Sequence, residues 1–297
     1  ASVLVFAAVL KVGSGLAGIS EPIMASDPQF LAPWGKITPL AALSFFSVFG
    51  LGSLGQPQGV HKYYMLKDPL QLRWYPLLKT LGLILVLLLY FGVGVGVKSL
   101  VAGGAMPPLR APDEATPAFL LRFTPVVLAA LVFSGVAAAT MSAVNSYINI
   151  GAAVVTHDLP VAFGRQLKNE LRWGRISTAV IAVAAAALAQ VSGSMVAFLG
   201  IFGWGLFACT LVPSLAIGLN WKGATREGAL ASIGTGLVLT LTFETMGFLK
   251  LYSLPTGLSV SGLSLVLSIL VFFGVSWLTR AGRGAEIDAD VRLVMEV

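Results

Sequence analysis

Eight stretches of about twenty apolar residues follow one another along this chain, each long enough to cross a ~30 Å hydrocarbon layer as a helix. They run over approximately 1–19, 38–58, 78–102, 125–155, 176–193, 195–218, 228–248 and 258–278. Backbone polar groups in lipid must be satisfied within the protein, which a helix does inside its own segment. The expected fold class is therefore an all-α membrane protein with eight transmembrane helices. A short external helix is expected at about 116–123, with Pro125 separating it from the fourth span and Asp113, Glu114 and Thr116 available to cap it. Composition narrows the alternatives. Hydrophobic residues make up 57% and charged residues 11%, against about 25% charged in soluble domains. That excludes a disordered chain, a collagen-like repeat and an ordinary soluble enzyme. No phosphate-binding loop, zinc-protease helix or nucleophile elbow occurs, so no enzymatic activity is expected. Cys209 stands alone, and His61 and His157 are far apart in sequence, so neither a disulfide framework nor a Cys/His metal centre is expected.

The net charge of +6 resides in short segments between the apolar runs. In a soluble protein it would raise nucleic acid as a partner; here it reads as a topology signal, and nucleic acid is not an expected partner. With the N-terminus placed in the cytoplasm, thirteen of the 19 Lys and Arg fall in inside segments, from Lys62 to Arg292. Five fall outside: Lys36, Lys98, Arg110, Arg122 and Lys250. This bias places both ends of the chain in the cytoplasm. Lys11 lies within the first span, as a helix-end residue reaching for the interface or as a pathway residue. Glu244 lies near the outer end of its span, where interfacial exposure accounts for it. The chain opens at Ala1 directly into an apolar run with no signal-peptide pattern, which reads as a cut within a longer membrane protein.

Two spans carry chemistry. The second ends in Gly50, Gly52, Gly55, Gln56, Pro57, Gln58 and Gly59, which sets two amides beside a helix breaker. Phe49, Ser53 and Pro57 are four apart and would share one stripe of a helix, with Gln56 at its border. An aromatic ring, a hydroxyl and an amide on one stripe suit a small zwitterion or polyol. The alternative is that Phe49 packs on a neighbouring helix and the amide bonds to backbone. The fourth span contains Ser134, Thr140, Ser142, Asn145, Ser146 and Asn149. Lone hydroxyls often bond back to their own helix, but asparagines at membrane depth need a partner, a cavity or an ion. Ala139 and Ser142 share a face that could present oxygens to a small hard cation.

These motifs resemble the sodium:solute symporter family, which includes proline, pantothenate and sugar co-transporters. Phe49-Gly-Leu-Gly-Ser53-Leu-Gly55-Gln56-Pro57-Gln58 resembles the Gly-Gln-Pro-His helix of the proline branch, with Lys62 at a basic position of that branch. Ala137 to Ala143, continuing to Thr156-His-Asp158-Leu159, resembles the family's Ala-Ala-Val-Met-Ser-Thr helix and its acidic ending, with Pro160 in place of the usual tyrosine. Gly203-Trp204-Gly205, Pro213 and the Trp221-Lys222 to Gly228-Ala229 loop also fit, and the likeness covers nearly all of residues 1–280.

The resemblance implies part of a LeuT-like inverted-repeat fold, namely core helices five to ten plus two more. Residues 1–280 would be the C-terminal part of the transmembrane domain, with 281–297 a cytoplasmic tail. The implied partners are a small organic solute, sodium, membrane lipid and the missing N-terminal helices of the same protein. The implied function is sodium-coupled uptake of a solute, an amino acid such as proline, across a bacterial inner membrane, with no organic cofactor. Carried over by position, Phe49, Ser53, Gln56 and Pro57 form the substrate wall. Ala139, through its carbonyl, and Ser142 hold sodium. The family's second hydroxyl falls on Ala143, which has no side-chain oxygen, so the implied sodium site is weakened. The alternative from another class is a symporter-like sensor module of a signalling protein, binding solute with or without transport.

Overall fold

The computed structural model describes residues 1–35, 37–192, 196–252, 254–255 and 257–280. Lys36, Arg283 and Arg292 of the charge count, the expected tail at 281–297 and residues 193–195, where the fifth and sixth expected spans meet, lie outside these residues. Every regular element among the described residues is helical. In chain order the α-helices are α1 (Ser2–Val12), α2 (Gly15–Ser26), α3 (Pro39–Phe45), α4 (Pro57–Tyr64), α5 (Tyr75–Ala102), α6 (Ala115–Phe123), α7 (Val126–Ala153), α8 (Leu159–Ala162), α9 (Glu170–Ser192), α10 (Val196–Leu211), α11 (Arg226–Phe248) and α12 (Val260–Arg280). Among the described residues seven helical stretches are long and apolar enough to span a membrane, and the bent pair α1–α2 would make an eighth. The chain is a multi-pass membrane protein, in line with the eight apolar runs. Leu77, Leu78 and Leu81 on α5 are exposed, as suits side chains whose solvent is lipid.

Contacts divide the chain into two compact units, Ala1–Lys36 with Leu66–Asn145, and Ile37–Met65 with Ser146–Val297. The first is built on α1, α2, α5 and α6. Its core holds Val5 and Val9 of α1, Ile19 and Ile23 of α2, Val93 and Val97 of α5, and Phe119 and Leu120 of α6. Gly92 and Gly96 of α5 receive Phe6 and Val9. A Cβ at Gly92 would stand 2.6 Å from Phe6 Cδ2, and one at Gly96 2.6 Å from Val9 Cγ1. Small residues permit this close approach where lipid supplies no hydrophobic drive.

The first span differs from the sequence expectation. It bends by 65° between α1 and α2 and continues to Ser26 instead of ending near residue 19. The bend lies at Ser14 (φ 57) and Gly15 (φ 84), not at Pro22. Pro22 forgoes its helical bond to the Gly18 carbonyl, yet α2 carries on because Ile19 and Ile23 are both buried in the core. Lys11 is exposed in the last turn of α1, just before the bend. Lys98 of α5 pairs with Asp27 at the end of α2, 3.3 Å apart, and sits over the Phe30 ring. The external helix forms where expected, but without the expected cap: the Glu114 carboxylate instead accepts the Arg110 N–H at 3.1 Å.

The second unit centres on α10, α11 and α12, whose core is Ala208, Cys209, Val212 and Leu265. Contacts between small residues hold these helices together: Gly236 lies against the Cys209 backbone, Gly205 against Ser261, and Gly228 against Ser276. Thr225 caps α11 by accepting the Gly228 N–H at 3.1 Å, and its hydroxyl meets that of Thr279 on α12 at 2.8 Å. Cys209 is buried, and its thiol donates to the Ser261 carbonyl. At the end of α7, His157 pairs with Glu170 of α9 at 2.7 Å, both exposed.

Candidate functional site

The second span does not keep one winding. Thr38 caps α3 by accepting the Ala41 N–H, and Pro39 occupies the first turn, where its missing donor costs nothing. After Phe45 the chain widens into a π turn over Phe46–Gly50, then tightens into a 3-10 turn over Leu51–Gly55. Gln56 is extended (φ −78°, ψ 113°), and Pro57 restarts the helix as α4. Departures from α winding inside a membrane span are tolerated only where other groups meet the displaced backbone.

Those groups come from α10 and from the segment itself. The Trp204 indole Nε1–H donates to the Val48 carbonyl at 3.0 Å. The Gln56 amide nitrogen donates to the Gly52 carbonyl at 3.0 Å and to the Trp204 carbonyl at 3.1 Å. Residues three apart eclipse in a 3-10 turn, so Gly52 and Gly55 stand in one line. That line lies against α10. A Cβ at Gly52 would be 2.7 Å from Ala208 Cβ, and one at Gly55 2.8 Å from Val212 Cγ2 and 2.9 Å from Val212 N. Ser44 fixes the other end, with its hydroxyl 2.7 Å from that of Ser259, just ahead of α12.

The four residues of the expected substrate wall lie on this stretch in unlike settings. Phe49 is 42% exposed, in the π turn; its ring is 6.2 Å from Phe45 and 6.0 Å from Trp204, so three aromatic rings form a row. Ser53 is exposed in the 3-10 turn and donates to the Gly50 carbonyl at 2.7 Å. Gln56 is only 3% exposed. Its amide nitrogen bonds to backbone, one of the two arrangements the sequence left open, while its buried Oε1 has no partner among the described residues. Pro57 is half-buried. The regular four-residue stripe is not what sets their spacing, because two changes of winding separate Phe49 from Pro57.

Gln58 extends the polar set. Its amide nitrogen donates to the Tyr147 hydroxyl at 2.7 Å, and Tyr147 stacks on Phe207 of α10. Trp204, Tyr147 and Phe207 were not singled out as site residues by sequence reasoning. Trp204 was visible there only as part of Gly203-Trp204-Gly205, one of the motifs of the family resemblance.

The other candidates lie on α7. Ala139 and Ser142 are exposed and one turn apart on an unbroken helix, with Ala143 beside them. The Thr140 hydroxyl donates to the Val136 and Ala137 carbonyls of its own helix, at 3.0 and 2.9 Å. Among the described residues no three His, Cys, Asp or Glu side chains gather as a metal site.

Comparison with known proteins gives this arrangement its context. The chain is 25% identical over 296 residues to a sodium/proline symporter of Salmonella typhimurium, covering 91% of this chain and 56% of that protein. It is 28% identical over 294 residues to the osmoregulated proline transporter OpuE of Bacillus subtilis, covering 95% and 56%. It is 28% identical over 261 residues to a sodium/proline symporter of Haemophilus influenzae, covering 83% and 51%. The chain thus spans about half the length of the curated relatives it matches. No solved structure matches it. The model of the sodium:solute symporter family matches residues 1–236, most of the chain, and the protein belongs to that family.

Proposed function

We propose that the protein carrying this chain is a secondary transporter. Sodium running down its gradient drives uptake of a small zwitterionic or uncharged organic solute, an amino acid such as proline. One observation carries this reading beyond family membership: a membrane span broken over Phe46–Gln56 that carries an aromatic row, an exposed hydroxyl and a buried amide. Broken helices near the membrane midplane are where transporters of inverted-repeat architecture bind their cargo. Phe49, Ser53, Gln56 and Pro57 form one wall of the solute site. Ala139 and Ser142 supply oxygens to sodium as a co-transported ion, without a second hydroxyl at Ala143. The chain contributes core helices five to ten of a LeuT-like fold and two further helices, and helices outside it complete both sites.

The energetics are adequate. One positive charge moving through 100 mV releases about 2.3 kcal/mol. At about 1.4 kcal/mol per decade this supports nearly fiftyfold accumulation before the sodium concentration gradient is added. In proteoliposomes holding the full-length protein, an inward sodium gradient is expected to drive concentrative uptake of labelled proline. Uptake that ignores collapse of the sodium gradient would rule out the coupling, and no uptake of any small amino acid would rule out the solute class.

The charge bias supports an orientation with both ends of the chain cytoplasmic, in a bacterial inner membrane, followed by a cytoplasmic tail from 281. Single cysteines placed in the 62–73 loop are expected to react with impermeant reagents only from the cytoplasmic side. A cysteine replacing Lys250 is expected to react only from outside. Labelling of both from one side would overturn the topology.

A further inference from the structure

We infer that Trp204 is a positioning residue for solute recognition: its indole N–H and main-chain carbonyl hold the broken segment 46–56 in the one winding that leaves both Phe49 and Ser53 exposed. The inference rests on the solute site proposed above and adds to it a residue from α10.

The geometry is specific. The π turn and the 3-10 turn are each intrinsically less favourable than α winding, so something outside the segment must select their sequence. The local side chains do not suffice. Ser47 and Ser53 donate to carbonyls of Leu43 and Gly50, within the segment or the helix just before it. Trp204 reaches it from 156 residues away and takes the Val48 carbonyl, one residue before Phe49. The Gln56 amide closes the other end by donating both to Gly52 and back to the Trp204 carbonyl. Trp204 therefore bonds to the segment on either side of the pair Phe49 and Ser53, once as donor and once as acceptor. The indole ring also stands 6.0 Å from the Phe49 ring at 40°, which sets the face Phe49 turns outward. Gly52 adds a steric condition, since a Cβ there would lie 3.4 Å from the indole nitrogen and 2.7 Å from Ala208 Cβ.

Loss of the indole N–H leaves the Val48 carbonyl without that donor in a low-dielectric setting, where an unmet polar group is costly. The segment then escapes by rewinding toward a regular α-helix, and rewinding turns Phe49 relative to Ser53. Recognition suffers even though no solute contact has been removed.

The test uses the full-length protein and Trp204→Phe, which keeps an aromatic ring and deletes the donor. Gln56→Met, similar in length and without amide donors, is the second variant. Two quantities are read: amide hydrogen exchange over 46–56, and the Kd for labelled proline. Both variants are expected to speed exchange over 46–56 at least tenfold while α11 and α12 keep their wild-type rates. Trp204→Phe is expected to raise the proline Kd at least tenfold; Gln56→Met, which also alters the proposed wall, is read by exchange alone. Unchanged exchange over 46–56 overturns the clamp. Faster exchange with wild-type Kd overturns its role in recognition. Faster exchange in all helices alike shows a general packing role and also overturns it. A wild-type protein that binds no labelled proline defeats the solute reading and the recognition role with it, and the exchange data then report on the clamp alone.

Discussion

Replacing Ser53 with tryptophan is expected to abolish solute binding by the full-length protein, raising Kd more than a hundredfold, while the protein still folds. Ser53 is exposed within its unit, so an indole there meets no packed neighbour in that unit. The bond it gives up, to the Gly50 carbonyl, is internal to the segment and has a net worth of about 1 kcal/mol. What the indole does take is space on the exposed face of the broken segment, where the wall of the site is proposed to lie. Binding of radiolabelled proline to purified Ser53→Trp is the measurement. Wild-type affinity would mean that this face meets lipid or another helix, and the substrate wall would have to be placed elsewhere.

The second large effect is on the ion. Ser142→Ala in the full-length protein is expected to raise the half-saturating sodium concentration for uptake at least tenfold. A hydrogen bond or oxygen contact to a charged group is worth about 1.5–3 kcal/mol, and the lower figure already corresponds to a factor of ten. Ser134→Ala, two turns earlier on α7, is expected to change little. Ala143→Thr is expected to lower the half-saturating concentration, because it adds a hydroxyl where α7 has none. Sodium titration of uptake distinguishes these variants, and unchanged half-saturation in both Ser142→Ala and Ala143→Thr would remove this face of α7 from the coupling site.

Long-range order in the chain was legible to the extent that it depended on hydropathy. The apolar runs located the spans, and the crowd of glycines before Gln56-Pro57 located a break that the structure contains. Local signals misled where burial outweighed them. The first span was expected to end near residue 19, but Ile19 and Ile23 bury their side chains and the helix runs on past Glu21 and Pro22 to Ser26. The turn that does occur, at Ser14 and Gly15, required a serine at positive φ, which sequence pattern does not advertise. The winding of Phe46–Gly55 was not legible at all, because its selection comes from Trp204, 156 residues from Val48 in the chain. A reading based on residues four apart placed Phe49, Ser53 and Pro57 on one stripe. Such a reading assumes uniform α geometry at the place where the geometry is not uniform.

The paired change of winding has a consequence for inheritance. A π turn advances each residue by less rotation than an α-helix, and a 3-10 turn by more. Five residues of one followed by five of the other let the two phase errors offset, so that Gly55 comes round to meet α10. What the segment must conserve is its count of residues more than their identity. One apolar side chain can replace another at Phe46 or Leu51, which are both exposed, with modest cost. Gain or loss of a single codon between Phe46 and Gly55 would instead rotate the glycine line off Ala208 and Val212 and drive side chains into a contact that only bare backbone fits.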